Sequence, residues 1–302
     1  MLQAFRRICG SLILAAGMAA AATAAPTPAK LSAAEVITKN VAARGGLEAW
    51  RAVKTMSLSG KTGAGGNQRA TLKMPTQGQA TVVPRQTGQQ PLPSRRVDEV
   101  YLPFLMELAR PRKIRFELQF AGQTALQVYD GVSGWKLRPY LNRLEVEPYT
   151  AEETKAAAMQ SELDGPLVDY AAKGTRIELA GTEKVEDRDT YKLKLTLKSG
   201  DVTHVWVDAQ TFLETKIEGQ PRRLDGIFHP VEVYYRDYRN VNGLEIPYVL
   251  ETRVVPVTKT GMGLRDMPVP PEKTLIEKVV INPNFDAGQF SKPAIPTKSA
   301  AK

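Results

Sequence analysis

The sequence carries one cysteine, Cys9, and two histidines, His204 and His229, in 302 residues. Cys9 lies in an N-terminal segment read below as a cleaved leader. The mature chain is therefore expected to hold no disulfide, no thiolate nucleophile and no cysteine metal site. His204 shares a strand face with Trp206 and Asp208, and His229 precedes Pro230. Neither has a second ligand at helical or hairpin spacing, which argues against a metal centre. Serine is absent from any nucleophile-elbow pattern, because Gly131-Val132-Ser133-Gly134 lacks the spacing and reads as a turn. Carboxylates such as Glu145 and Glu147 pair on one face of a strand pattern, the usual mark of a wet face. There is no dinucleotide fingerprint, phosphate loop, βαβ alternation or fixed-period repeat. These absences assign no catalytic residue, metal or cofactor.

Long hydrophobic runs are also scarce. The one at Ile8–Ala20 is short and rich in alanine, too short to read as a permanent membrane span. With Arg6 and Arg7 before it and Ala22-Thr23-Ala24 after it, residues 1–24 read as a signal peptide cut after Ala24. Arg6-Arg7 lacks the flanks of a twin-arginine signal, so the general secretory route and a periplasmic location are expected. Cys9 precedes the apolar run and is no lipid-attachment site. The mature chain has 302 minus 24, or 278, residues, enough for a large core without staples. Residues 26–30 read as its flexible start.

A basic run with interleaved aromatics is missing too. Removing Arg6 and Arg7 leaves 41 minus 2 basic residues against 32 acids, a net charge of +7. The basic residues alternate with acids and apolar residues, as in Arg112-Lys113-Ile114-Arg115-Phe116-Glu117. That pattern excludes nucleic acid as partner and leaves a weak attraction to anionic membrane surfaces, a peripheral contact at most.

What is present is period-two patterning. Ser32 with Glu35 makes a capping box for a first helix carrying Val36, Ile37, Val41 and Ala42. Gly45-Gly46 ends it, and a short helix, Leu47 to Val53, carries Trp50. Met56, Leu58 and Gly60 then alternate with polar residues, and Ala70, Leu72 and Met74 do so after a glycine-rich turn, which reads as a hairpin. Residues 75–98 read as a long mobile loop. Phe104, Met106 and Leu108 alternate next. Ile114, Phe116, Leu118 and Phe120 share one face of a strand, with Leu126 and Val128 read as continuing it. Asp130-Gly131 turns the chain into Trp135 and Leu137. Thr150 and Glu153 start a helix from Ala151 to Leu163, and Leu167 to Ala172 reads as a second. Strands resume at 176–179, 191–197, 202–207, 213–218, 231–238, 248–255 and 275–281, with Tyr191, Leu193, Leu195 and Leu197 on one face. The tail at 294–302 reads as disordered. The count is about eleven strands with minor helix. A sheet that large must curl, and the helices are the natural cover for its concave side.

Several short motifs stand in order along this frame. They are Ala43-Arg44-Gly45-Gly46-Leu47, Arg110-Pro111-Arg112-Lys113-Ile114-Arg115, Tyr129-Asp130-Gly131 to Gly134-Trp135, Asp164-Gly165-Pro166-Leu167 with Lys173-Gly174, and Tyr235-Arg236-Asp237-Tyr238 with Gly243-Leu244-Glu245-Ile246-Pro247. In these the chain resembles the LolA/LolB-like superfamily of periplasmic lipoprotein carriers. The resemblance implies an unclosed antiparallel half-barrel over residues 25–293, whose helix-covered concave face holds acyl chains. It implies a non-enzymatic carrier or sensor binding a lipid or a lipoprotein acyl chain. Candidate cavity residues are Phe104, Met106, Phe116, Leu118, Leu126, Val128, Trp135, Ala157, Ala158, Leu193 and Leu195. The alternative is the same fold with a filled core, serving as an interaction module for an envelope protein.

Overall fold

The computed structural model describes residues 31–66, 99–139, 143–224, 226–257 and 270–294. The chain divides after Leu31, and every described element belongs to the unit beginning at Ser32. The expected leader, the second strand of the 56–74 hairpin, the 75–98 loop and residues 295–302 of the tail lie outside the described residues.

Helix α1 (Ala33–Ala43) starts on the expected capping box. Ser32 Oγ accepts the Glu35 N–H at 3.3 Å, and Glu35 Oε2 accepts the Ser32 N–H at 2.8 Å. Gly45 follows at φ +112°, where a Cβ would stand 2.3 Å from the Gly243 carbonyl oxygen, so only glycine allows this approach. Helix α2 (Leu47–Ala52) then buries Trp50.

Thirteen strands follow among the described residues, two more than expected. They are β1 (Thr55–Gly66), β2 (Glu99–Ala109), β3 (Lys113–Phe120), β4 (Gln123–Tyr129), β5 (Gly134–Arg138) and β6 (Arg143–Pro148), then, after helix α3 (Ala151–Gln160), β7 (Arg176–Val185), β8 (Arg188–Thr196), β9 (Val202–Asp208), β10 (Glu214–Leu224), β11 (Ile227–Val241), β12 (Leu244–Val254) and β13 (Glu272–Ile281). All join one antiparallel sheet in the order β6-β5-β4-β3-β2-β1-β13-β12-β11-β10-β9-β8-β7. β6 and β7 remain edges, so the sheet is a half-barrel rather than a closed barrel. Two meanders make up the two wings, and the pairing of β1 with β13 stitches them together. Gly60 sits at a bulge in that seam, where a Cβ would press within 2.0 Å of the Leu275 carbonyl oxygen.

One face of the sheet is the core. Its cross-strand pairs Phe104–Leu118, Met106–Phe116 and Leu108–Ile114 follow the alternation of the sequence. Trp50 of α2, Ala157 of α3 and Leu163 and Val168 of the segment after it pack with Met56, Leu58, Phe104, Ile114, Ile246 and Ile276. The helices thus cover the concave face. The expected second helix at 167–172 is instead a run of hydrogen-bonded turns. Gly165 at φ +77°, Pro166, Asp169 at φ +50° and Gly174 at φ +74° break helical geometry four times in ten residues.

Candidate functional site

Helix α3 lies across the open side of the sheet. Thr150 and Glu153 form its capping box, and Glu153 also receives Lys136 Nζ of β5 at 2.5 Å. Burial pushes the Glu153 pKa up, but the Lys136 ammonium and the Thr150 N–H outweigh it and hold the carboxylate below its usual range. On the far wing Lys155 Nζ meets Asp201 Oδ1 in the β8–β9 turn at 2.8 Å. Gln220 Nε2 of β10 reaches Met159 Sδ at 3.0 Å. The helix therefore spans from β3–β5 to β8–β10, one side anchored through a buried lysine and the other through an exposed ion pair.

Beneath it lies a cavity of about 620 Å³. Ala158 and Met159 of α3 and Ile217 and Tyr235 of the sheet supply apolar wall. Arg112, Glu162, Lys173, Lys198 and Asp201 supply a charged margin. A smaller cavity of about 190 Å³ shares Glu162, Gly165, Pro166, Ile217 and Tyr235 with it and is otherwise mostly aliphatic, with Leu58, Met106, Val205, Leu250 and Ile276 on its walls. Among the described residues the Tyr235 hydroxyl has no hydrogen-bond partner. Burial, with the Glu214 carboxylate nearby, pushes its pKa up, so it stays a protonated donor.

A buried ionic hub borders these cavities, with Lys173 on the larger and Arg44 and Glu214 on the smaller. The Asp164 side chain is 1% exposed and accepts Arg110 Nη2 at 2.7 Å and Lys173 Nζ at 2.5 Å. Arg44 Nη1 donates to the Asp164 carbonyl at 2.8 Å and meets Glu214 Oε1 at 3.3 Å. The Arg44 guanidinium stacks over the Trp50 ring at 4.3 Å. Tyr238 Oη donates to the Glu214 carbonyl at 3.0 Å. Segments 43–47, 110–115, 164–174, 235–238 and 243–247, scattered through the sequence, meet here.

No protein-family model and no curated protein matches the sequence. Solved structures do. A LolA superfamily protein from Nitrosomonas europaea aligns with a TM-score of 0.50 over 87% of this chain and 99% of that one, at 12% identity. A chain from Vibrio parahaemolyticus titled an outer membrane lipoprotein-sorting protein domain gives 0.48 over 85% and 95%, at 10% identity. A DUF1329 family protein from Desulfovibrio piger gives 0.47 over 84% and 95%, at 12% identity.

The chain has the LolA-like fold.

Within this LolA-like half-barrel the eleven residues proposed from sequence divide into groups. Ala158 lines the larger cavity and Met106 the smaller. Phe104 and Phe116 stack at 5.9 Å between ring centres on the concave face, with Leu118 and Ala157 packed in the same cluster. Leu193 and Leu195 pair with Val205 and Thr203 on the concave face, but both are fully buried, forming wall rather than cavity surface. Leu126, Val128 and Trp135 are on the other face. Val128 pairs with Arg115 and Leu126 with Glu117, so the β4 residues that share the face of Phe116 are Ala125, Gln127 and Tyr129. Trp135 pairs with Val128 and follows it outward. There Val128 is covered by Phe290, which packs edge-to-face on Phe285 at 5.5 Å. In β4 the more apolar alternate, Thr124, Leu126 and Val128, is the one that turns away from the concave face, while Gln123 and Gln127 turn toward it, so alternation alone points to the wrong face here. Tyr235, Ile217 and Lys198 were not read as cavity residues. The Tyr235 motif stood out in the sequence, but nothing in its spacing points to a cavity.

Proposed function

We propose that the protein is a non-enzymatic carrier or sensor of the bacterial envelope that holds the acyl chain of a lipid or lipoprotein beneath α3. The observation that carries this reading is the 620 Å³ cavity between α3 and the LolA-like sheet, with apolar wall and a charged margin, continued by the smaller cavity under residues 162–166. Its size falls within the range of about 300–1,000 Å³ typical of small-molecule sites. Each buried methylene contributes about 0.8 kcal/mol, so eight of them supply about 6 kcal/mol without polar recognition. The charged margin suits an amphiphile whose head stays at the surface. The likeness of the fold to the LolA superfamily protein from Nitrosomonas europaea supports the same reading.

Residues 1–24 are proposed to direct export to the periplasm and to be removed after Ala24. N-terminal sequencing of protein from the periplasmic fraction is expected to begin at Ala25. Native mass spectrometry of the same protein is expected to show mass added by a co-purified lipid that organic extraction removes. A chain that starts at Met1 in the membrane fraction contradicts the export reading. A protein that neither carries nor takes up any acyl compound contradicts the carrier reading and points to a filled interaction module.

A further inference from the structure

Antiparallel pairing fixes which strand ends lie together. The ends of β1, β3, β5, β8, β10 and β12 share one rim of the sheet with the starts of β2, β4, β6, β7, β9, β11 and β13. Six large hydrophobic side chains are exposed among the described residues, and five are on this rim. Val100 opens β2, Phe120 closes β3, and Leu144, Val202 and Phe228 stand at the starts of β6, β9 and β11. Their exposures run from 44% for Phe120 to 64% for Phe228. Only Val132, in the β4–β5 turn, lies at the opposite end. Scattered exposed apolar residues need no explanation, but gathering on one rim does.

The charge of the rim identifies the occupant. Arg176, Lys198, Arg223 and Lys273 all lie at this end, and none has an ion-pair partner among the described residues. The one described rim carboxylate in the same condition is Glu145. Lys198 belongs to the β8–β9 turn that also borders the 620 Å³ cavity, so one margin of the cavity lies at this rim. Exposed aromatic and aliphatic tips set among unpaired cations match an anionic bilayer surface, where the apolar tips enter the interface and the cations meet lipid phosphates.

We propose that this rim is the surface by which the protein docks on an anionic lipid membrane, with the Lys198 margin of the cavity toward the bilayer. The docking surface goes beyond the carrier reading and stands on its own observations. Vesicle binding with an empty cavity retires the carrier and leaves the rim. Acyl binding without vesicle binding does the reverse.

The test is co-sedimentation of the full chain with vesicles of phosphatidylcholine alone and of phosphatidylcholine mixed with phosphatidylglycerol. Binding is expected only to the mixed vesicles and is expected to be lost in high salt. Lys198→Glu with Arg223→Glu is expected to lower the partition coefficient roughly twentyfold or more, since each basic residue near an anionic surface is worth about fivefold. Phe120→Ser with Phe228→Ser is expected to reduce it as well, while Val132→Ser at the far end binds like the unaltered chain. All these sites are exposed, so far-UV circular dichroism is expected to be unchanged and to confirm that each variant folds. No binding to mixed vesicles, equal binding to both vesicle types, unaltered binding by the Phe120/Phe228 variant, or an equal loss in Val132→Ser would each overturn the proposal.

Discussion

Ala157 and Ala158 are neighbours on α3 with different fates. Ala157 is 6% exposed inside the core cluster, whereas Ala158 borders the cavity. A tryptophan at 157 has no room, and Ala157→Trp is expected to cost roughly 1–3 kcal/mol through overpacking. Ala158→Trp has the cavity to enter. It is expected to weaken a fluorescent acyl probe while leaving the thermal midpoint close to that of the unaltered protein. Equal effects at the two positions in both measurements would contradict the placement of α3. The alanine run itself was visible in the sequence, but which alanine faces the cavity depends on how the helix rolls on the sheet. Asp164 offers a second residue-level test. Asp164→Ala leaves Arg110 and Lys173 without their shared carboxylate in a buried site and is expected to cost about 3 kcal/mol or more in chemical denaturation. Asp201→Ala breaks only an exposed pair with Lys155 and is expected to change stability by less than about 1 kcal/mol. Similar losses in both would mean that the hub is not the buried anchor described above.

At the scale of elements, the strands and both capping boxes were legible because each is written locally. Ile114, Phe116 and Leu118 alternate with charged residues, and Asp130 Oδ1 accepts the Val132 and Ser133 N–H groups at 2.8 and 2.7 Å as a turn aspartate should. The turns at 163–174 were not legible, because the Leu167–Ala172 composition suits a helix and only the positive φ at Asp169 and the flanking glycines prevent one. The face of β4 was not legible either, since what covers Val128 arrives from residues 285–290, far along the chain. Long-range pairing also shapes the β7–β8 turn. Glu186 there accepts Arg236 Nη2 at 2.7 Å from β11 and Arg253 Nη2 at 3.1 Å from β12. The hydrogen bond from Arg236 first, then its charge and Arg253, hold the Glu186 pKa at about 2 against an ordinary 4.5. A depressed carboxylate stabilises the fold fully above its unfolded value and loses that contribution as protons bind. The thermal midpoint is therefore expected to fall between pH 4.5 and about 2 more steeply in the unaltered protein than in Glu186→Gln. Parallel acid limbs for the two proteins would show that these arginines do not grip Glu186. The pair is partly exposed, so the difference is expected to be modest and to shrink with salt.

For the whole molecule, the half-barrel follows from two meanders joined where β1 meets β13. Thirteen twisted strands curl, and the chain supplies α2, α3 and the 163–174 turns to cover the hollow. The cover does not fill it. Space remains where α3 crosses from one wing to the other, under small side chains and above Ile217 and Tyr235. Sequence patterning placed the apolar face but not the cavity, because a filled core and a hollow one use the same alternation. The central claim is that this space takes an acyl chain, and equilibrium titration with a fluorescent acyl probe tests it most directly. The account predicts saturable binding at one site, displaced by unlabelled fatty acid and weakened by Ala158→Trp but not by Val132→Ser. A probe that does not bind, or binds equally well to the Ala158→Trp protein, would contradict it.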